Sequence, residues 1–269
     1  MSRTYRLAIV GGGRMGEAIA AGLVASGSVP AELIVVAEPS EQRREVFERQ
    51  GIATVADGHE VVGVAEIVLL AVKPQVIDAV LAHMADEIAP GAIVVSIAVG
   101  IPTARLEALL PAGTPVVRVM PNTPTMVGAG MAVVSGGAAA STDHVEQVRS
   151  LFEAVGEALV IGEQAQDAAA AISGSGPAYV AMFVDALARS GVRQGLSRDV
   201  AQALAIQTLR GTSELLARTG MHPEELVDGV TSPGGTTIAA VEALEAGGFR
   251  SSVSTAVAAA VRRAKELSS

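Results

Sequence analysis

Apolar residues in the first half of the chain come as short unbroken runs, each followed by a stretch in which they recur every three or four positions. The runs Leu7–Val10, Leu33–Ala37, Ile67–Val72, Ile93–Ile97 and Val116–Met120 predict buried strands. Weaker runs lie at Ala53–Val55, Met131–Ser135 and Ala158–Ile161. The periodic stretches Met15–Val24, Ser40–Gln50 (closed by Gly51) and Pro74–Ile88 predict helices between them. Strands with no polar face, separated by helices, specify a parallel sheet covered on both sides. Beyond Gly162 the rhythm changes. Gln164–Ile172, Ala178–Ser190, Ser197–Thr219, Thr236–Ala246 and Ser251–Glu266 all read as helices, and no strand-like run intervenes. The expected organisation is an α/β half, residues 1–163, followed by an all-α half, residues 164–269.

Composition sharpens this picture. Half of the 269 residues are hydrophobic, yet only 2% are aromatic and Trp is absent. Small aliphatic side chains must fill the core, which suits close helix packing. The Ala- and Ser-rich helices of the second half, such as Val253–Val261, offer more apolar surface than that half can bury alone, so packing between subunits is expected. A net charge of −9 argues against nucleic acid as the main partner. Cys is absent, which removes disulfides, thiolate catalysis and Cys-based metal sites. The four histidines, His59, His83, His144 and His222, show no metal-ligand spacing, and His222 before Pro223 reads as part of a helix start. No metal site is expected. The first residues lack the apolar core of a signal peptide, and the longest apolar runs fall short of the ~20 residues that span a bilayer, so no membrane partner and a cytoplasmic location are expected.

Two glycine-rich turns carry the chemistry. Gly11-Gly12-Gly13-Arg14-Met15-Gly16 follows a strand and opens a helix. Here Gly11 allows the tight turn, Gly13 lets the backbone approach a pyrophosphate, and Gly16 lets helix and strand pack closely. That context makes the first half a Rossmann-like dinucleotide-binding domain. Glu38, at the end of the second strand, is placed to bind the ribose 2′-OH of NADH and to repel the 2′-phosphate of NADPH. Ser40, Arg43 and Arg44 follow at once and could hold that phosphate, so both cofactors stay open. Val72-Lys73-Pro74 and Met120-Pro121-Asn122-Thr123-Pro124 follow strand ends on the same edge, where Lys73 and Asn122 can reach the cofactor.

The second turn, Ser232-Pro233-Gly234-Gly235-Thr236-Thr237, lies far along the chain in front of another helix. Ser232 reads as its N-cap and Pro233 as its first residue. Free N–H groups, bare glycines and two Thr hydroxyls would suit a carboxylate. Ser173-Gly174-Ser175-Gly176-Pro177 breaks an otherwise helical stretch, a cost of about 1 kcal/mol for each Gly relative to Ala, which points to a ligand rather than to packing. One chain with two anion cradles suggests a cofactor and a substrate. No triad or carboxylate pair stands out, so the cofactor should carry the chemistry.

Together these residues resemble pyrroline-5-carboxylate reductase, the family that closes proline biosynthesis. The likeness runs through the first glycine turn, Ala71-Val72-Lys73-Pro74, Arg118–Pro124, Ser173–Tyr179, Asp228–Thr237 and Gly247-Gly248-Phe249-Arg250. It implies an all-α dimerisation domain after the Rossmann domain, in homodimers sometimes assembled as a pentamer of dimers. It implies reduction of 1-pyrroline-5-carboxylate to L-proline by NADPH or NADH. Thr237 then matches the catalytic threonine near the substrate ring nitrogen. Thr236, Ser232, Gly234 and Gly235 match the carboxylate-binding turn, and Ser173, Gly174, Ser175 and Gly176 match a segment that meets the nicotinamide site across the dimer. Many members place a small hydroxyl residue where this chain has Glu38, which leaves NADH open. Two rival readings fit less of the sequence. A β-hydroxyacid dehydrogenase works through a helix lysine, and the helical half holds only Lys265, near the C-terminus. A non-catalytic NAD(P)-binding regulator would have no use for Ser232–Thr237.

Overall fold

A computed structural model describes residues 5–268. It divides into two compact units, one running to Ser175 with the chain end from Ala260, the other Gly176–Ala259.

The first unit is built on eight strands: β1 (Tyr5–Val10), β2 (Ile34–Ala37), β3 (Ala53–Val55), β4 (Ala65–Leu70), β5 (Ile93–Ser96), β6 (Val116–Met120), β7 (Gly130–Gly136) and β8 (Gly156–Val160). They form one sheet in the order β3-β2-β1-β4-β5-β6-β7-β8. Its helices are α1 (Arg14–Ala25), α2 (Glu41–Glu48), α3 (Ile77–Met84), α4 (Thr103–Glu107), α5 (Thr142–Glu153) and α6 (Gln166–Ala169). Alternate strand residues face opposite sides. Leu7, Ile9, Ile67 and Leu69 pack with Ile19 and Leu23 of α1 and Phe152 of α5. Ala8, Val10, Val68 and Leu70 pack with Ile77, Leu81 and Met84 of α3 and Leu106 of α4. Both faces are covered, as the unbroken apolar runs require.

The sheet differs from the sequence expectation in one respect. β1 to β6 are parallel, but β7 runs antiparallel to β6 and parallel to β8. Residues 121–129, with a 3-10 helix at Thr123–Val127, are all that join β6 to β7. That link is too short for the crossover a parallel pair demands, so the chain reverses.

The second unit holds α7 (Gly176–Arg193), α8 (Arg198–Thr219), α9 (Pro223–Gly229), α10 (Thr236–Ala246) and the start of α11 (Phe249–Ser268). α7 and α8 pack closely because Gly191 has no side chain: a Cβ there would stand 2.9 Å from that of Ala201. Within this unit only Ala188, Ala201 and Ala205 are buried. Val180, Met182, Leu187, Leu204, Ile206 and Leu215 are exposed.

Joined through α6 and the turn after it, the stretch Glu163–Arg193 is long and apolar enough, by length and composition alone, to cross a membrane, with a mean hydropathy of 1.2 over an 18-residue window. The break that the sequence suggests at Ser173–Pro177 leaves apolar runs too short for this, whereas the structure keeps the stretch helical through a π-turn.

Candidate functional site

The chain leaves β1 toward β2 on one side and resumes at β4 on the other, so the sheet has its switch point between β1 and β4. Ligands of open α/β sheets bind there, beyond the carboxyl ends of the strands. A cleft of about 370 Å³ opens at that edge, lined among others by Val10, Gly11, Glu38, Val72 and His83.

The first glycine turn floors it. Gly11 has φ of 107°, in the left-handed region, and a Cβ there would stand 2.7 Å from the carbonyl oxygen of Ala71. A Cβ on Gly16 would stand 2.5 Å from the carbonyl oxygen of Gly11, so helix and turn could not close. Gly13 is different: nothing lies within 4 Å of its added Cβ. It is the N-cap of α1, extended at φ −70°, ψ −178°, and makes no side-chain cap. The start of α1 is therefore left without a side-chain cap, as a helix start that takes a pyrophosphate would be. Arg14 is exposed and Met15 is half-buried against the core.

Gly12 has a role that the sequence did not reveal. A Cβ there would meet Glu38 and Phe47 at 2.9–3.0 Å. Its N–H instead donates to Glu38 Oε2 at 2.8 Å, while Ser40 N–H donates to Glu38 Oε1 at 2.9 Å. Glu38 is thus fixed at the cleft wall. The arginines beside it are engaged elsewhere. Arg43 donates twice to the carbonyl oxygen of Gly12, at 2.9 and 2.7 Å, and pairs with Glu17 at 2.7 Å. Arg44 donates to the carbonyl oxygens of Glu38 and Pro39 at 2.9 and 2.8 Å. Both clamp the turn and the end of β2.

Val72 lines the same cleft, Lys73 is exposed after β4, and Pro74 starts a short 3-10 turn before α3. Asn122 is nearly buried: its amide donates to the carbonyl oxygen of Ser173 at 2.9 Å and its Oδ1 accepts from Met131 N–H at 2.9 Å. It ties the loop after β6 to Ser173. That segment is not simply broken helix. Ala170–Gly174 is a π-helical turn, with Ser175 N–H donating to the carbonyl oxygen of Ala170 at 3.0 Å. Ser173 Oγ bonds back to the carbonyl oxygen of Ala169, and a Cβ on Gly174 would stand 3.1 Å from Met120. Gly176 opens α7. Single π-turns collect at functional sites.

In the second unit, α10 begins at Thr236 with Gly235 as its N-cap, at φ −80° and ψ 179°, again with no side-chain cap. Ser232 is not the N-cap and Pro233 is not the first helical residue, as the sequence suggested. Gly235 N–H instead donates to the carbonyl oxygen of Ser232 at 3.0 Å, closing a turn with Pro233 and Gly234 at its centre. Gly234 takes φ of 63°, which Gly supplies where Pro precedes it in such a turn. Ser232 and Thr236 are exposed and Thr237 is half-buried on the first turn of α10. Gly247–Arg250 is structural here: Arg250 pairs with Glu224 and Glu245, joining α9, α10 and α11. His222 caps α9 by accepting from Glu224 N–H at 3.2 Å, which agrees with its reading as part of a helix start.

One cluster has no counterpart among the sequence expectations. Asp57, just after β3, contacts His59 Nδ1 at 3.0 Å and His83 Nε2, from α3, at 2.8 Å. Hydrogen bonds from His59 and then His83 hold the Asp57 carboxyl well below the usual carboxylate range, and the same bond to Asp57 raises His59. Asp57-Gly58-His59 was the local signal, but its partner lies one crossover away.

A glycine turn at the switch point, an N–H-lined helix start and an acid at the end of β2 define a dinucleotide-binding oxidoreductase with a helical second domain. Comparisons with known proteins agree. A family model described as "NADP oxidoreductase coenzyme F420-dependent" matches residues 6–100, and "Pyrroline-5-carboxylate reductase dimerisation" matches residues 163–267. The pyrroline-5-carboxylate reductase of Synechocystis is 45% identical over 98% of both chains. Among solved structures, pyrroline-5-carboxylate reductase of Coxiella burnetii matches with a TM-score of 0.94 at 35% identity, over 99% of both chains. Pyrroline carboxylate reductase of Plasmodium falciparum, solved with NADP bound, matches with a TM-score of 0.88 at 30% identity, over 100% of both. The chain belongs to the pyrroline-5-carboxylate reductase family, whose members reduce that imine to proline with NAD(P)H.

Proposed function

We propose that this chain reduces 1-pyrroline-5-carboxylate to L-proline as a cytoplasmic homodimer, using NADH in preference to NADPH. One observation carries the reading: two helices, α1 and α10, each start on an extended glycine N-cap without a side-chain cap. Two such starts receive two different anions. The first follows a strand end at the switch point and suits a pyrophosphate. The second carries hydroxyls at Thr236 and Thr237 and suits a single carboxylate.

The reduced nicotinamide supplies the hydride when bound. The residues of the chain do the rest. The turn Ser232–Gly235 presents the first N–H groups of α10 to the substrate carboxylate. Thr237 lies on that same turn of helix and holds the ring nitrogen or its proton. A neutral hydroxyl is too weak an acid to protonate the imine by itself, so the ring must carry its proton as an iminium, the better hydride acceptor. Rate then comes from positioning. Thr237→Ala should lower turnover by about 10- to 100-fold, or about 1.4–2.7 kcal/mol, with NADH affinity unchanged. Steady-state kinetics beside a fluorescence titration checks this, and wild-type turnover in the variant would contradict it.

Glu38 supports NADH. Its carboxylate is fixed by two backbone N–H groups, and a 2′-phosphate would meet that charge. Arg43 and Arg44 could turn to a phosphate only by giving up their present carbonyl partners.

A further inference from the structure

The rim of the cofactor cleft carries a group of side chains that the reduction does not use. Asp57, His59 and His83 each offer a ligand atom, and these atoms lie within 4.8 Å of one another. Among the described residues no other group of three His, Cys, Asp or Glu side chains meets this condition. Two separate elements set the arrangement. Asp57 caps the short turn Gly58–Glu60 by accepting from His59 N–H, which fixes Asp57 and His59 relative to each other. α3 delivers His83 from the other side. The two imidazoles meet edge to face, with ring centroids 5.4 Å apart, and each places a nitrogen against the Asp57 carboxylate. Donors of a tetrahedral ion with bonds of about 2.0–2.1 Å stand about 3.3 Å apart. Here His59 Nδ1 and His83 Nε2 lie 3.0 and 2.8 Å from the two oxygens of Asp57, so a small closing of the cluster would bring the three donors onto one ion. Imidazole and carboxylate donors without thiolate suit Zn²⁺, Co²⁺ or Ni²⁺ rather than a soft ion, and three protein ligands leave a fourth position for water.

The position gives the cluster a consequence. Asp57 and His83 line the cleft, facing Val10, Glu38 and Val76, whereas His59 does not. We infer that Asp57, His59 and His83 form a divalent transition-metal site at the rim of the cofactor cleft, and that metal bound there weakens dinucleotide binding. The coupling, though not the metal site, rests on reading this cleft as the cofactor site. An ion on Asp57 and His83 locks two wall residues and adds a hydrated charge at the mouth.

The test uses the full chain, free of any affinity tag. Zn²⁺ is titrated calorimetrically into wild type and into His59→Ala, and NADH affinity is measured with and without Zn²⁺. One Zn²⁺ per wild-type chain is expected, with affinity at least about tenfold lower in His59→Ala, as loss of a ligand should cost no less than loss of an outer-shell partner. NADH should bind several-fold more weakly to Zn²⁺-loaded wild type, and His59→Ala should lose that effect while binding NADH normally without metal. Equal Zn²⁺ affinity in the two proteins would overturn the site. Specific Zn²⁺ binding with unchanged NADH affinity would overturn the coupling. Failure to bind NADH even without Zn²⁺ would instead overturn the cofactor reading. Circular dichroism of His59→Ala confirms that an exposed substitution has left the fold intact.

Discussion

At the scale of single residues, the proposed choice of cofactor rests on Glu38. Glu38 accepts from Gly12 and Ser40 and sits on the cleft wall, so one side chain sets both the shape of the turn and, in the proposed binding mode, the charge that the ribose meets. Glu38→Ser removes that charge. The ratio of kcat/KM with NADPH to that with NADH should then rise by at least about tenfold, or about 1.4 kcal/mol. An unchanged ratio would mean that Glu38 serves only to hold the glycine turn. Much at this scale was legible in advance. Gly11 and Gly16 occupy the roles that their spacing assigns, because each role depends on the absence of a side chain. Arg43 and Arg44 were not legible, since a helix-borne arginine reads alike whether it faces a phosphate or reaches back to a carbonyl. Asp57 and His83 were hidden for another reason: they lie in different crossovers, and periodicity carries no information about which side chains meet across a cleft.

At the level of elements, the strands were readable because burial on both faces leaves few polar positions in each run. α10 was read with the bounds found, Thr236–Ala246, but its cap was not. Ser232 and Pro233 satisfy the statistics of a helix start, yet they form a turn that delivers Gly235 to the cap instead. α5 went unrecognised although Val148, Leu151 and Phe152 have helical spacing, because its polar first turn continues a Gly- and Ala-rich connector. The long segment that enters the second half is held by Arg118 on β6, which pairs with Glu163 at 3.3 Å and with Asp167 at 3.6 Å. Glu163 also accepts from the N–H and hydroxyl of Thr103 at the start of α4. Arg118 is only 7% exposed, so its removal leaves two carboxylates poorly compensated. Arg118→Met should destabilise the fold by about 2 kcal/mol, read as a lower urea midpoint with an unchanged slope. A midpoint equal to wild type would show that solvent replaces the guanidinium without loss.

For the whole molecule, the second unit poses the main physical question. Its buried side chains are three alanines, while Leu, Ile, Val and Met lie open along α7 and α8. Surface of that kind on a unit of this size asks for a partner. A second copy of the chain is the partner that the dimerisation match supports. A stability that depends on association depends on concentration. The melting temperature should therefore fall by several degrees on 100-fold dilution, and light scattering should read two chains per particle, or ten where five dimers associate. A monomer whose melting temperature ignores dilution would contradict the dimer. The Ala-rich second half hinted at this, because helices with so few bulky residues cannot bury themselves.

The most direct test of the account is an assay with purified chain, 1-pyrroline-5-carboxylate and equal concentrations of NADH or NADPH, following loss of reduced-nicotinamide absorbance and formation of proline. The account expects proline in step with cofactor oxidation, faster with NADH than with NADPH. Bound dinucleotide with no oxidation, on this substrate and on other cyclic imines, would contradict it and leave a dinucleotide-binding regulator.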